Sequence, residues 1–353
     1  MTLPLELDLR NHEKVLLIGD VHGEASLLEK VLQDPEFKDH YYLVIGDLFD
    51  RGPDSPKCWQ LIQELRRLGK GSSLMGNHEL NTAIGDEKEG NGWFFNNFDS
   101  NQHERMFLPC AILDSDKKEA VLDFINKTPL YARLKGDASY AIHAFLDTKT
   151  LHKLKTDLEA YQFKTWKELY DYYDLKIKEQ CLKVPYHEWI QSPDWIKFKS
   201  SEKNPDRKAF FTEEIAEFQY KIHMDNPLKL LLAGPLDTPV KNLEDVFYAG
   251  GRWRTASRSK WWQYSNSKKE IVFGHYWRRH LEKNASVSLD ENFGPVKFDQ
   301  WLGPHKTFFC LDYCAGYSFK FRSDFQFSSS SEFRPALGVM SWPSKKLKIY
   351  AHD

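Results

Sequence analysis

Residues able to bind metals or move protons gather at the ends of short apolar runs in this sequence. Asp20 and His22 close VLLIGDVH, Asp47, Asp50 and Arg51 follow YYLVIG, Asn77 and His78 follow SSLMG, His143 closes SYAIH, and His275 closes EIVFGH. Apart from Arg51, all are hard or borderline metal donors. One run ending in Asp or His means little, because such residues often cap the helix that follows. Five ends that each deliver a carboxylate, amide or imidazole to one rim of a sheet exceed what capping explains. An oxygen and nitrogen set without thiolates suits manganese, iron or zinc better than copper or an iron–sulfur cluster. Asp47 is the natural bridge, since a carboxylate shared by two cations about 3.5–4 Å apart supports in-line displacement at phosphorus. Such chemistry hydrolyses phosphate esters.

The elements that must position these residues are legible from periodicity. The runs at 15–20, 41–47, 72–78, 139–144 and 270–275 read as buried strands, and EASLLEKVL (24–32) and SPKCWQLIQELRRLG (55–69) carry apolar residues at helical spacing, the second stopping at Gly69. The order is β-α-β-α-β. Sheets built this way place ligand chemistry outside the carboxyl ends of their strands. From 150 to 226 the texture turns to Lys, Glu, Tyr and Trp and reads as a helical insertion; NPLKLLLAGP (226–235) then resumes an apolar run, and 236–353 is strand-like again. Four serines at 328–331 read as an exposed loop. No repeat of solenoid length is present.

Composition sets further bounds. The 353 residues carry 49 Lys and Arg against 51 Asp and Glu, a formal charge of −2, so no general attraction to a nucleic-acid backbone is implied. At 41% apolar and 28% charged the chain is globular in class, though rich in aromatics with 11 Trp. MTLPLELDLRNHEK places acids where a signal peptide holds basic residues, and no run approaches the roughly 20 apolar residues that span a bilayer. A soluble, cytoplasmic protein without membrane contact is expected. The five cysteines (Cys58, Cys110, Cys181, Cys310, Cys314) are scattered without a CxxC pair, which fits a reducing compartment; Cys310 and Cys314 read as an ordinary buried pair.

GDVHG (19–23), GDLFDRG (46–52) and GNHE (76–79), followed by separate histidines in IHAF and FGHYW, resemble the calcineurin-like metallophosphoesterases, in particular their phosphoprotein phosphatase branch. The resemblance implies an α/β fold in which two mixed sheets form a β-sandwich flanked by helices (α/β/β/α), a single catalytic domain over 1–353 interrupted by the helical insertion at 150–226. It implies two divalent cations, manganese foremost with iron or zinc as alternatives. The first would be held by Asp20, His22 and Asp47, the second by Asp47, Asn77, His143 and His275. By the same resemblance His78 is the general acid, Asp50 holds its other ring nitrogen, and Arg51 grips the phosphoryl group. A second gripping arginine is expected in AGGRWRTASRSKWWQY (249–264), Arg254 first and Arg258 next; this segment also resembles a Trp-rich stretch that precedes the last metal histidine in a bacterial group of these enzymes. Glu79 reads either as support for a ligand or as charge at a helix start.

Three departures from the pattern replace small residues by bulk: HAF at 143–145, GHYW at 274–277 and CLDYCAG at 310–316. Phe145, Tyr276 and Tyr313 are therefore expected to narrow or line the metal pocket. The expected substrate is a phosphorylated protein, at Ser/Thr or Tyr, or a small phosphoester. The alternative enzyme reading is hydrolysis of dinucleoside polyphosphates. A third reading makes the chain a scaffold in which the metal site is structural; in either case the 150–226 insertion is a candidate docking element for a protein.

Overall fold

The computed structural model describes residues 3–99, 102–136, 138–204, 206–207, 209–249, 251–279, 288–290, 292–322 and 334–352. The serine run expected to be a loop at 328–331 lies outside them. The chain divides into two compact units, one formed by Met1–Leu146 with Trp262–Asp353 and the other by Asp147–Trp261. Among the described residues no helix is long and apolar enough to cross a membrane.

The first unit contains two five-stranded mixed sheets. In one, Val15–Ile18, Tyr41–Val44 and Gly71–Ser73 run parallel, and Ala336–Trp342 and Lys346–Ala351 extend the sheet antiparallel on the other side of Val15–Ile18. In the other the order is Glu6–Asp8, Tyr131–Leu134, Ser139–Ile142, Glu270–Phe273 and Phe308–Cys310. The Val15–Ile18 residues are all buried, as expected of a strand covered on both faces, which needs no polar alternation. Leu17 and Leu43 from one sheet, Ala141, Val272 and Phe309 from the other, and Met340 and Trp342 join a single apolar cluster, so the two sheets share one core.

Register explains how separate motifs reach one rim. Ile18 pairs with Val44 and Val44 with Ser73, so the three parallel strands end level and release Asp20, Asp47 and Asn77 on the same side. Across the core, Ala141 pairs with Val272, and Phe309 with Val272, which brings out His143, His275 and Asp312 in the same way. The helix that follows Tyr41–Val44 is capped at both ends. Asp54 accepts from the amide of Lys57 at the start of Ser55–Arg67, Pro56 occupies its first turn, and Gly69 takes the left-handed conformation that ends it.

The second unit is helical from Thr148–Tyr161 through Pro227–Ala233, with a small hairpin of Phe247–Ala249 and Arg252–Arg254. The helices therefore run past the expected limit at 226. The apolar run there is itself helical because Asn226 caps it through its side chain and Pro227 pre-sets the first turn. The aromatic texture of this region supplies a core of its own, built on Trp189, Phe198, Ile215 and Phe218.

The ends of two strands, one from each sheet, come close where Gly19 passes Leu311. A Cβ on Gly19 would stand 2.2 Å from the Leu311 carbonyl oxygen, a backbone atom that cannot swing away. Gly19→Ala should therefore lower stability by roughly 1–3 kcal/mol through overpacking, read as a lower urea midpoint at unchanged slope.

Candidate metal centre

The residues that leave these strands turn sharply. His22, Asp47, Asp50, Arg51 and His275 all have positive φ, between 47° and 75°, and make up five of the ten non-glycine residues in that region among those described. Each such residue costs of order 1–3 kcal/mol, a strain that clusters where side chains must be aimed. Neighbouring glycines make room for the result. A Cβ on Gly76 would lie 2.2 Å from Asp47 Oδ1, and one on Gly274 2.0 Å from Asp20 Oδ1.

Asp47 is the hub. Its Oδ1 accepts from the His78 amide at 3.0 Å, in the first turn of the Asn77–Ile84 helix, where unpaired amides favour an anion. Its Oδ2 stands 3.4 Å from His143 Nε2, 3.6 Å from His22 Nε2 and 3.9 Å from His78 Nε2. Two sets of ligand atoms result, His22 with Asp47 and His78, and Asp47 with His143 and His275, each within 4.8 Å of one another. Asn77 joins through Oδ1, 3.2 Å from His143 Nε2. His22 Nδ1 donates to the Phe49 carbonyl at 3.0 Å, which fixes the tautomer and turns Nε2 toward Asp47. Asp20 stands outside both sets: its Oδ2 accepts from the His275 amide at 2.9 Å, while its Oδ1 is buried without a hydrogen-bond partner among the described residues.

Charge balance shows why such a pocket takes cations. Asp20, Asp47, Asp50, Glu79 and Asp312 are all buried at 2% exposure or less. Burial, reinforced by neighbouring carboxylates, pushes Asp20 well above the usual range, Asp50 and Glu79 up to about 8 and Asp312 up to about 6. Burial alone would raise Asp47 too, but His143, His78 and His22 hold it well below. Carboxyls that grip protons this strongly also fit divalent cations, and the unpartnered Oδ1 of Asp20 is an oxygen donor of the right hardness.

The proton-bearing pair lies beside the hub. His78 Nδ1 is 2.6 Å from Asp50 Oδ2, and the other Asp50 oxygen accepts from Trp93 Nε1 at 2.6 Å. Burial raises the carboxyl and lowers the His78 imidazolium to about 3, so near neutral pH one proton is shared between Oδ2 and Nδ1 and a second sits on Nε2. Glu79 serves as support: its carboxylate accepts from the amides of Gly76, Asp47 and Leu48 at 2.8–3.0 Å and so ties the third motif to the second. Glu104 does the same one layer out. It accepts from the amides of Gly90 and Gly92, and the Gly90 carbonyl accepts from the Arg51 amide.

Arg51 reaches the hub, with Nη1 3.1 Å from His22 Nε2, and its guanidinium stacks on Trp277. Arg254 and Arg258 belong to the second unit, where Arg254 Nε donates to the Ala249 carbonyl and Arg258 bridges to Leu236. Two of the three bulky residues, Tyr276 and Tyr313, are fully buried. Tyr276 is buried against Trp262 and Phe273 while keeping an edge-on contact with His275 at 5.2 Å, and the Tyr313 hydroxyl donates to the Phe298 carbonyl. Both fill the core. Cys310 and Cys314 are buried free thiols, as expected.

A family model described as calcineurin-like phosphoesterase matches residues 13–234, more than half of the chain. The chain belongs to the calcineurin-like phosphoesterase family. His275 lies beyond the matched segment, so its place among the ligands rests on the geometry above. Similar proteins include serine/threonine-protein phosphatase 1 of Salmonella typhimurium (37% identical, covering 21% of this chain and 33% of that one) and serine/threonine-protein phosphatase 2 of Escherichia coli (31%, covering 37% and 62%). A third is the symmetrical bis(5'-nucleosyl)-tetraphosphatase of Wigglesworthia glossinidia brevipalpis (39%, covering 19% and 25%). The chain thus spans less than two thirds of the length of each relative.

Sequence reading missed four supports of this phosphoesterase centre: Trp93, Glu104, Asp312 and Trp277. Asp312 was within CLDYCAG and carried a signal, a carboxylate at a sixth strand end; the other three had none.

Metal content tests the hub. Asp47→Asn should lose both cations together in elemental analysis of protein dialysed against manganese. Asp47 also raises the proton affinity of buried His143, and bound metal must displace that proton. Manganese affinity should therefore fall as pH is lowered, with protons released on binding in calorimetry at two buffer ionisation enthalpies.

Proposed function

We propose that this phosphoesterase hydrolyses phosphate monoesters with two divalent cations, manganese foremost, and acts as a protein phosphatase. The observation that carries this reading is the pair of ligand sets sharing Asp47 with the Asp50–His78 proton pair beside them. Asp20, His22, Asp47, Asn77, His143 and His275 hold the cations, which when bound supply Lewis acidity and an acidified water as nucleophile.

The chain's own residues perform the remaining tasks. Arg51 presents in-plane N–H groups to two phosphoryl oxygens, a planar match that lysine lacks. As the ester P–O bond breaks, His78 Nε2 gives its proton to the departing oxygen, and the proton shared with Asp50 settles on Nδ1. Asp50 is left as a carboxylate accepting from Nδ1 and from Trp93, so the pair ends one proton poorer and the alcohol leaves neutral. Arg254 and Arg258 are proposed as further contacts for the substrate phosphate. The 150–226 region, which exposes Tyr161, Leu175 and Ile196, is proposed as the element that docks a protein substrate.

Hydrolysis of dinucleoside polyphosphates is the second reading, favoured by similarity to the tetraphosphatase. A panel of p-nitrophenyl phosphate, phosphopeptides and diadenosine tetraphosphate with manganese separates the two, and inactivity on all three refutes both.

His78 has two possible jobs, and one variant tells them apart. His78→Ala should keep its metal and lose about 10²–10⁴-fold in kcat, less for substrates with very good leaving groups. Loss of metal in that variant would make His78 a ligand instead.

A further inference from the structure

One aromatic row emerges from the core beside Arg51. Phe107 and Phe319 are buried, with ring centroids 4.5 Å apart; Phe319 lies 6.0 Å from Tyr317, and Tyr317 meets Trp277 edge-on at 5.5 Å. Trp277 and Tyr317 are half-buried, unlike their inner neighbours. Both are tied to the ligand set by separate stretches of chain. Trp277 follows His275 by two residues and lies under the Arg51 guanidinium, 5.3 Å from its carbon. Tyr317 follows Gly316, which packs so tightly on His22 that a Cβ there would fall 2.4 Å from the ring. Lys320 lies over Tyr317 at 4.7 Å, leaving Trp277 as the ring more directly tied to the phosphate grip.

A guanidinium stacked on an indole directs its N–H groups in plane toward an anion, so a phosphoryl group held by Arg51 sits beside these rings. In an aryl ester the leaving-group ring is one bridging oxygen from phosphorus and falls directly on them. A seryl ester places a methylene and flexible backbone there instead, which gains no ring stacking. We propose that Trp277 and Tyr317 select phosphate monoesters whose leaving group is a planar aromatic ring, the phosphotyrosine side chain among them. This rests on reading the centre as a phosphomonoesterase.

The test is binding of benzylphosphonate and (cyclohexylmethyl)phosphonate, which keep one atom between ring and phosphorus, match in size and differ in aromaticity, to the manganese-loaded full chain by calorimetry. Benzylphosphonate should bind about 3- to 10-fold more tightly. That ratio should fall toward one in Trp277→Leu and persist in Trp277→Phe, while any loss of Arg51 support weakens both ligands and cancels. Tyr317→Leu, expected to lower the ratio as well, provides the same reading if Trp277→Leu does not fold. A ratio of one in the wild type, or an unchanged ratio in the leucine variants, overturns the proposal. Hydrolysis of p-nitrophenyl phosphate with no aryl preference in binding would remove this inference alone. Aryl preference without hydrolysis of any monoester would remove the phosphomonoesterase reading and leave the platform standing.

Discussion

One buried carboxylate, Asp47, imposes the geometry of the whole centre. Its two oxygens must serve a helix amide on one side and three imidazoles on the other, and those partners come from three different segments of chain. Such convergence requires strand ends held level, which in-register parallel pairing provides. It also requires turns tight enough to aim side chains inward, hence the left-handed residues at three of the five strand ends' motifs. Strain of that kind persists where surrounding structure over-determines it. Glu79 supplies part of the constraint by accepting amides from both the Gly76 turn and the Asp47–Leu48 turn, so that neither motif moves alone.

The same carboxylates that create the centre destabilise it electrostatically. Five buried carboxyls in one rim repel one another, and each responds to burial by holding protons or seeking a cation. The chain answers in two ways. Some of the charge is absorbed by fixed donors, as at Asp50 with Trp93 and at Asp312, whose Oδ1 accepts from the Cys314 amide at 2.8 Å. The rest, notably Asp20 Oδ1 and Asp312 Oδ2, has no donor within hydrogen-bonding reach among the described residues, and divalent charge is the natural complement. Stability and metal loading are therefore coupled, because the unfolded chain solvates these groups at no cost.

Much of this was legible before any coordinates. Strand ends were readable because continuous apolar runs stop at the residue that turns, and the end of the second helix because Gly69 is a local signal. What could not be read depends on separation in the chain. Trp93 reaches Asp50 across 43 residues, and nothing in GNGWFF marks that indole as a donor to a carboxylate rather than as core. The direction of a side chain at a strand end was equally hidden. Tyr276 and Trp277 are neighbours with similar chemistry, yet one packs on Trp262 and the other beneath Arg51. The run at 226–235 could be read only as apolar because leucines fill both patterns; the cap at Asn226 decides for helix.

Reaction and selectivity draw on different parts of the chain. The ligands and the proton pair lie mostly within the matched family segment, on strand ends that tolerate little displacement, whereas Trp277 and Tyr317 lie past its end at residue 234. A shift of one residue at Asp47 would uncouple both ligand sets, but a change of ring at 277 alters only what lies beside the phosphoryl group. The bulk that replaced small residues at 276 and 313 went into the core and left the donors in place. The outer aromatic pair is thus where substitutions can redirect the leaving group that is accepted without disturbing Asp47, and a centre arranged in this way can keep one chemistry while its substrates diverge.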